Sequence, residues 1–151
     1  MIRISTLADY AVLLLAHMVD DTGAERPWSA SALAAATGLP LPTVAKLMKM
    51  LSKGGFVQAQ RGADGGYHLV RDPRALSVAE VIEAVDGRIS LTRCVQGVRP
   101  CAARRECSTH DGWGRLNAAV RTAFSSVTLA EMAPPLCVKS GQGRLEGQKM
   151  D

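Results

Sequence analysis

Aromatic residues make up only 4% of the 151-residue chain. So few rings exclude a stacking platform for single-stranded nucleic acid, which needs several aromatic faces along one groove, and leave Leu, Val, Ala and Met to build the core. Long apolar runs are missing as well: Ala11 to Leu15 is too short to span a bilayer, and Asp9 and His17 flank it closely. No basic segment leads into a longer apolar stretch with a small-residue cleavage site, so the chain reads as cytoplasmic, without a signal peptide or a membrane partner. A nucleophile–base pair, a phosphate-binding glycine loop and paired carboxylates at useful spacing are also lacking, which argues against an enzyme. The 47% of apolar residues suffices for a hydrophobic core in one domain, or in a small domain with an extension.

The net charge of +4 is concentrated between residues 42 and 75, where Lys46, Lys49, Lys53, Arg61, Arg71 and Arg74 face only Asp64 and Asp72. A local basic field suits a polyanion such as duplex DNA, because phosphates neutralised by Lys and Arg release their counterions. A solvated basic face explains the charge equally well when taken alone, so the surrounding pattern has to decide.

That pattern is helical. Ser5 or Thr6 can cap a first helix to about Val19, with Leu7, Ala11, Leu14, Leu15 and Met18 at helical spacing and apolar residues on nearly every side, which predicts burial. After a connecting stretch over residues 20–28, Ser29 or Ser31 caps a short Ala-rich helix. Ala34, Gly38, Val44 and Leu47 then match a helix-turn-helix: a small residue where helices approach, a glycine that tolerates positive φ in the turn, and two aliphatic residues turning the second helix inward. Pro42 fits that helix's first turn. The strand-like runs Phe56 to Gln60 and Tyr67 to Arg71 flank Arg61-Gly62-Ala63-Asp64-Gly65-Gly66, and Asp-Gly-Gly is a strong hairpin signal. A basic hairpin after a helix-turn-helix is the layout of a winged helix. Thr43 and Lys46 would reach base edges from the start of the recognition helix, Lys49 and Lys53 would meet phosphates, and Arg61 at the wing would enter a minor groove.

Ser77 opens a further helix through Val78, Val81, Ile82 and Val85, with Gly87 as its stop. A long helix over about 111–126 carries Trp113, Leu116, Val120, Ala123 and Val127 at spacings of three and four, a seam suited to a second copy of itself. The fold expected is therefore mainly α with a small β wing. It comprises a winged helix-turn-helix DNA-binding domain over residues 1–88, a ligand-bearing loop over 89–110, a dimerisation helix and its end over 111–133, and a disordered tail over 134–151.

The loop holds Cys94, Cys101, Cys107 and His110 as C-x6-C-x5-C-x2-H, three of the chain's four cysteines within seventeen residues. Cys137 reads as an incidental tail thiol. In a reducing compartment such a cluster points to metal ligation rather than disulfides. Zinc sites usually contain a tight C-x2-C to C-x4-C pair, and gaps of six and five favour an iron–sulfur cluster over zinc without excluding zinc.

The segments Ile2-Arg3-Ile4-Ser5 through Asp9-Tyr10-Ala11-Val12, the helix-turn-helix, the wing Arg61 to Tyr67 and the cysteine loop together resemble the Rrf-type winged-helix transcriptional regulators of the IscR/NsrR group. The cysteine spacing and Leu7-Ala8-Asp9-Tyr10 look most like the regulators of the SUF cluster-assembly system. The resemblance implies a homodimer on a double-stranded DNA operator, one 2Fe–2S cluster per subunit, and regulation, as a repressor, of iron–sulfur cluster assembly genes. It also implies that Cys94, Cys101 and Cys107 are ligands, with His110 as the fourth or, alternatively, Asp9 from the partner subunit. The competing expectations are a nitric-oxide or redox sensor of the same family, and a winged-helix DNA binder with a structural zinc. The recognition-helix position that carries a glutamate in IscR is Ala45 here, so operator discrimination by that acid need not transfer.

Overall fold

The computed structural model describes residues 3–19, 27–62, 65–96 and 107–133. The element order is α1 (Thr6–Val19), α2 (Ala30–Thr37), α3 (Leu41–Lys53), β1 (Val57–Gln60), β2 (Gly66–Leu69), α4 (Val78–Asp86), α5 (Arg93–Gln96), α6 (His110–Ser125) and α7 (Leu129–Met132). The mainly helical architecture with a two-stranded wing is the one expected.

At the centre lies α1, which packs against α4, α7, α2, α3 and β2. It buries Ala8, Ala11, Val12, Leu14, Leu15, Ala16 and Met18, but the expectation of burial on nearly all sides holds only in part. Thr6, Asp9 and Leu13, spaced three and four apart, form an exposed strip, with Leu13 43% exposed. The core is aliphatic: Leu14, Leu15, Leu33, Leu47, Leu51, Leu76 and Leu129 are all fully buried. Each such leucine contributes about 1.5–3 kcal/mol through apolar transfer alone.

The turn between α2 and α3 follows from local chemistry. The Ser29 side chain accepts from the Ala32 N–H at 3.0 Å and caps α2, and Gly38 ends it at φ 72° with its N–H donating to the Ala34 carbonyl at 2.9 Å. An L side chain rarely adopts that φ, which accounts for the glycine. Pro40 and Pro42 then start α3 in the turn where an N–H is dispensable.

In the wing β1 pairs antiparallel with β2, Val57 opposite Leu69 and Gln60 opposite Gly66. Both strands are shorter than the sequence suggests. Phe56 lies before β1, although its carbonyl accepts from the Val70 N–H at 3.1 Å, and Arg71 leaves the ladder to bond Glu80 at 3.0 Å. Trp28 adds a rung that was not anticipated, exchanging two 2.8 Å backbone bonds with Tyr67. Gly66 permits this approach, since a Cβ there would stand 2.6 Å from the Trp28 carbonyl oxygen.

Two reciprocal caps close the body. Ser77 and Glu80 form a capping box at α4, and Thr128 and Glu131 form another at α7. The Ser77 backbone N–H first, then the hydroxyl of Ser77 and Arg71, hold the Glu80 carboxyl below the usual range. Paired backbone bonds, Val78 N–H to Val127 O at 2.9 Å and Leu129 N–H to Leu76 O at 2.8 Å, bring the chain back from α6 so that α7 packs on α1.

Candidate DNA-binding face and cysteine loop

Helix α3 is two-sided. Val44, Leu47, Met48 and Leu51 are buried, while Lys46, Lys49 and Lys53 are exposed. Thr43, in the first turn, and Ala45 are half-buried, and Arg61 is exposed just past the end of β1. Among the described residues the ion pairs are Arg71–Glu80 and Arg121–Glu83, so Lys46, Lys49, Lys53 and Arg61 keep their charge for the solvent side. The charge of Arg71, by contrast, is paired with Glu80 of α4. Helix α3 thus carries exposed lysines along its outer side and the hairpin that follows carries an exposed arginine, side chains suited to a groove and its flanking phosphates. Ala63 and Asp64 of the wing tip lie outside the described residues.

The cysteine loop enters through α5 and leaves into α6, and these two helices pack against each other. Cys94 is half-buried on α5, its Sγ 3.0 Å from Thr92 Oγ1. Cys107 is half-buried before α6, its Sγ 3.4 Å from Thr109 Oγ1. The Thr109 side chain, and next its backbone N–H, lower the Cys107 thiol below its ordinary value and so favour the thiolate that binds metals. His110 is the first residue of α6, half-buried, with its N–H directed to the Cys107 carbonyl at 3.4 Å. Asp9 is exposed on the uncovered strip of α1. Cys101 and Cys137 lie outside the described residues, and among those described no group of three His, Cys, Asp or Glu side chains converges as a metal site. The donors nevertheless fit a soft or borderline metal: two free thiols, one of them acidified, and an imidazole border the segment that carries a third thiol.

On α6, Trp113 and Leu116 are 39% and 48% exposed. Ala123 is also exposed, Val120 is half-buried, and Val127 sits beyond the helix end against the core. The side facing the body carries Asn117, Arg121 and Phe124 instead, of which the sequence reading had singled out none.

A family model described as Rrf2, iron-dependent transcriptional regulator, matches residues 4–135. The chain belongs to the Rrf2 family. Among curated Rrf2 relatives, the HTH-type transcriptional regulator IscR of Yersinia pseudotuberculosis is 38% identical over 95 residues, covering 63% of this chain and 57% of the relative. The chain therefore spans little more than half the length of the curated relatives it matches. Among solved structures, CymR, the global cysteine regulator of B. subtilis, aligns with a TM-score of 0.69 at 30% identity over 88% of this chain and 97% of that one. T. potens IscR aligns with a TM-score of 0.65 at 28% identity over 87% and 85%. These Rrf2 relatives are transcriptional regulators, not enzymes, and among the described residues no helix is long and apolar enough to cross a membrane.

Proposed function

We propose that this Rrf2 protein is a homodimeric, DNA-binding repressor of iron–sulfur cluster assembly genes, governed by a 2Fe–2S cluster on Cys94, Cys101, Cys107 and His110. The observation that carries the DNA-binding part is α3 itself, with an aliphatic side locked into the core and the lysines Lys46 and Lys49 on the outer side, followed at once by the wing. Thr43 and Lys46 read bases, Lys49 and Lys53 anchor phosphates, and Arg61 reaches a minor groove. Trp113, Leu116, Val120, Ala123 and Val127 provide the dimer seam, for which the exposure of the first two is the support. A two-fold dimer would read a palindromic operator.

When bound, a 2Fe–2S cluster supplies an occupancy that responds to iron supply and oxidants. Within the chain, Cys94 stands on α5 and Cys107 and His110 at the start of α6, α6 packs on α4, and α4 packs on α3. Loop occupancy thereby has a packed route to the pose of the recognition helix. Asp9 is the alternative fourth donor, supplied across the dimer, and its exposure on α1 favours keeping it.

The test is selection of binding sites from random duplex DNA, followed by titration at several salt concentrations. Lys49→Ala should weaken binding to all duplexes alike and lower the salt slope by about one, whereas Lys46→Ala should relax preference at particular base positions. Selection of no sequence by wild-type chain in either metal state would contradict the reading.

A further inference from the structure

Asn117 is the only buried polar or charged side chain among the described residues, at 9% exposure, and the only buried residue of α6. Burying a carboxamide without replacing its hydrogen bonds costs about 1–3 kcal/mol. Here both ends are replaced: Oδ1 accepts from the Leu91 N–H at 2.9 Å, and Nδ2 donates to the Ile89 carbonyl at 3.2 Å. Residues 89–91 join α4 to α5 outside any helix or strand, so part of their backbone hydrogen bonding falls to this one side chain.

Its placement ties two distant points of the chain together. Cys94 lies three residues beyond Leu91, and His110, three residues beyond Cys107, opens the helix that carries Asn117. One end of the cysteine loop is therefore joined to α6 by the chain itself and the other by the carboxamide. One turn further along, Arg121 donates through Nε and Nη2 to the two carboxylate oxygens of Glu83, each at 2.9 Å. That pair fixes α6 to α4, and the link from Glu83 Oε1 to the Ile89 N–H is long, 3.5 Å. Besides the packing of α5 on α6, the short side-chain hydrogen bonds that hold the Cys94 branch are thus those of the Asn117 amide. A fully satisfied buried polar group rigidifies its surroundings and specifies one arrangement, which an aliphatic residue at this position would not do.

We propose that Asn117 is the positioning residue of the cysteine loop, its carboxamide setting where the Cys94 thiol stands relative to Cys107 and His110. This deepens the cofactor reading and rests on it for what the loop holds, though not for the positioning itself.

The first experiment uses the full metal-free chain and compares iodoacetamide alkylation of Cys94 and Cys107 by mass spectrometry. In Asn117→Ala the Cys94 rate should rise about tenfold, the equivalent of roughly 1.4 kcal/mol of lost hydrogen bonding, while Cys107 stays near its wild-type rate. Asn117→Asp, which keeps the acceptor for Leu91 but cannot donate to Ile89, should fall between. Arg121→Ala should leave the Cys94 rate near wild type. Asn117→Ser replaces the alanine variant if that one fails to fold. The second experiment reconstitutes each protein with iron and sulfide and follows visible absorbance against a chelator, with Asn117→Ala expected to bleach about tenfold faster. Unchanged Cys94 reactivity, or a parallel rise at both thiols, would overturn the positioning role, whatever happens to the melting temperature. If wild type takes up no iron and sulfide while Cys94 is still selectively unmasked, the cofactor reading fails and the positioning stands. If wild type holds its absorbance and Asn117→Ala matches it in both experiments, the positioning fails alone.

Discussion

Between Thr6 and Asp86 every helix buries aliphatic side chains, from Leu14 and Leu15 in α1 to Val81 and Ile82 in α4. Helix α6, at 16 residues the longest described, buries one residue, and that residue is an asparagine. The body is held by non-directional apolar burial; the arm meets it through the Arg121–Glu83 ion pair, a few half-buried contacts such as Phe124 and the backbone bonds at Val127 and Leu129, and the Asn117 amide joins the two ends of the arm to each other. Apolar burial makes a rigid platform for a reading helix, while a small set of directional bonds makes an attachment with few alternatives and a low cost of release. The exposed Trp113 and Leu116 and the two free thiols at the loop ends lie on the arm. A second copy and a cofactor would therefore be added to the weaker region.

The contrast breaks most sharply at leucines. Leu47→Ala, in a fully buried site, should cost about 3 kcal/mol in urea unfolding, whereas Leu116→Ala should hardly change the stability of a single chain and should instead raise the dimer dissociation constant in sedimentation. Equal stability losses at both positions would erase the distinction between body and arm. Ser77→Ala removes the capping box where body and returning chain meet and should cost about 1 kcal/mol by the same unfolding measurement.

The arm contains a softness that can be reversed. Gly112 and Gly114 sit in the first turns of α6 with no atom within 4 Å of an added Cβ. Alanine at either position should stabilise by about 0.5–1 kcal/mol in thermal melting, since no packing demands a glycine.

The ion pair gives the smallest effect and a defined pH window. The Arg121 guanidinium, and to a lesser degree the Ile89 N–H, hold the Glu83 carboxyl below its ordinary value of 4.5. Because the folded value is the lower one, its stabilisation is fully present above 4.5 and is lost as pH falls through the folded value. Wild type and Glu83→Gln should therefore differ in stability near neutrality and converge in acid; a constant difference across that range would remove the ionic contribution.

Much of the body was legible because its signals are local. Gly38, Val44 and Leu47 mark the turn and the inner side of α3, and glycines between two alternating runs mark the wing. The strand ends were misjudged where a distant partner intervened, as Glu80 does with Arg71. The Trp28–Tyr67 rung is a single non-local pairing with no periodicity to announce it. Ser77 was read only as a helix start; the Ser77-x-x-Glu80 and Thr128-x-x-Glu131 signatures that would have revealed both capping boxes went unread. Asn117 was not readable, because an asparagine among small and polar helix residues looks solvated until the loop it grips is in place. The spacing of the loop's donors was plain in the sequence, but their convergence depends on Cys101, outside the described residues.

The most direct test of the account is iron, acid-labile sulfide and zinc analysis of the chain purified without oxygen, beside Cys94→Ala. About two iron and two sulfide per chain, with visible absorbance lost in the variant, is the predicted result. A colourless wild-type protein that carries zinc and cannot be reconstituted with iron and sulfide would contradict it.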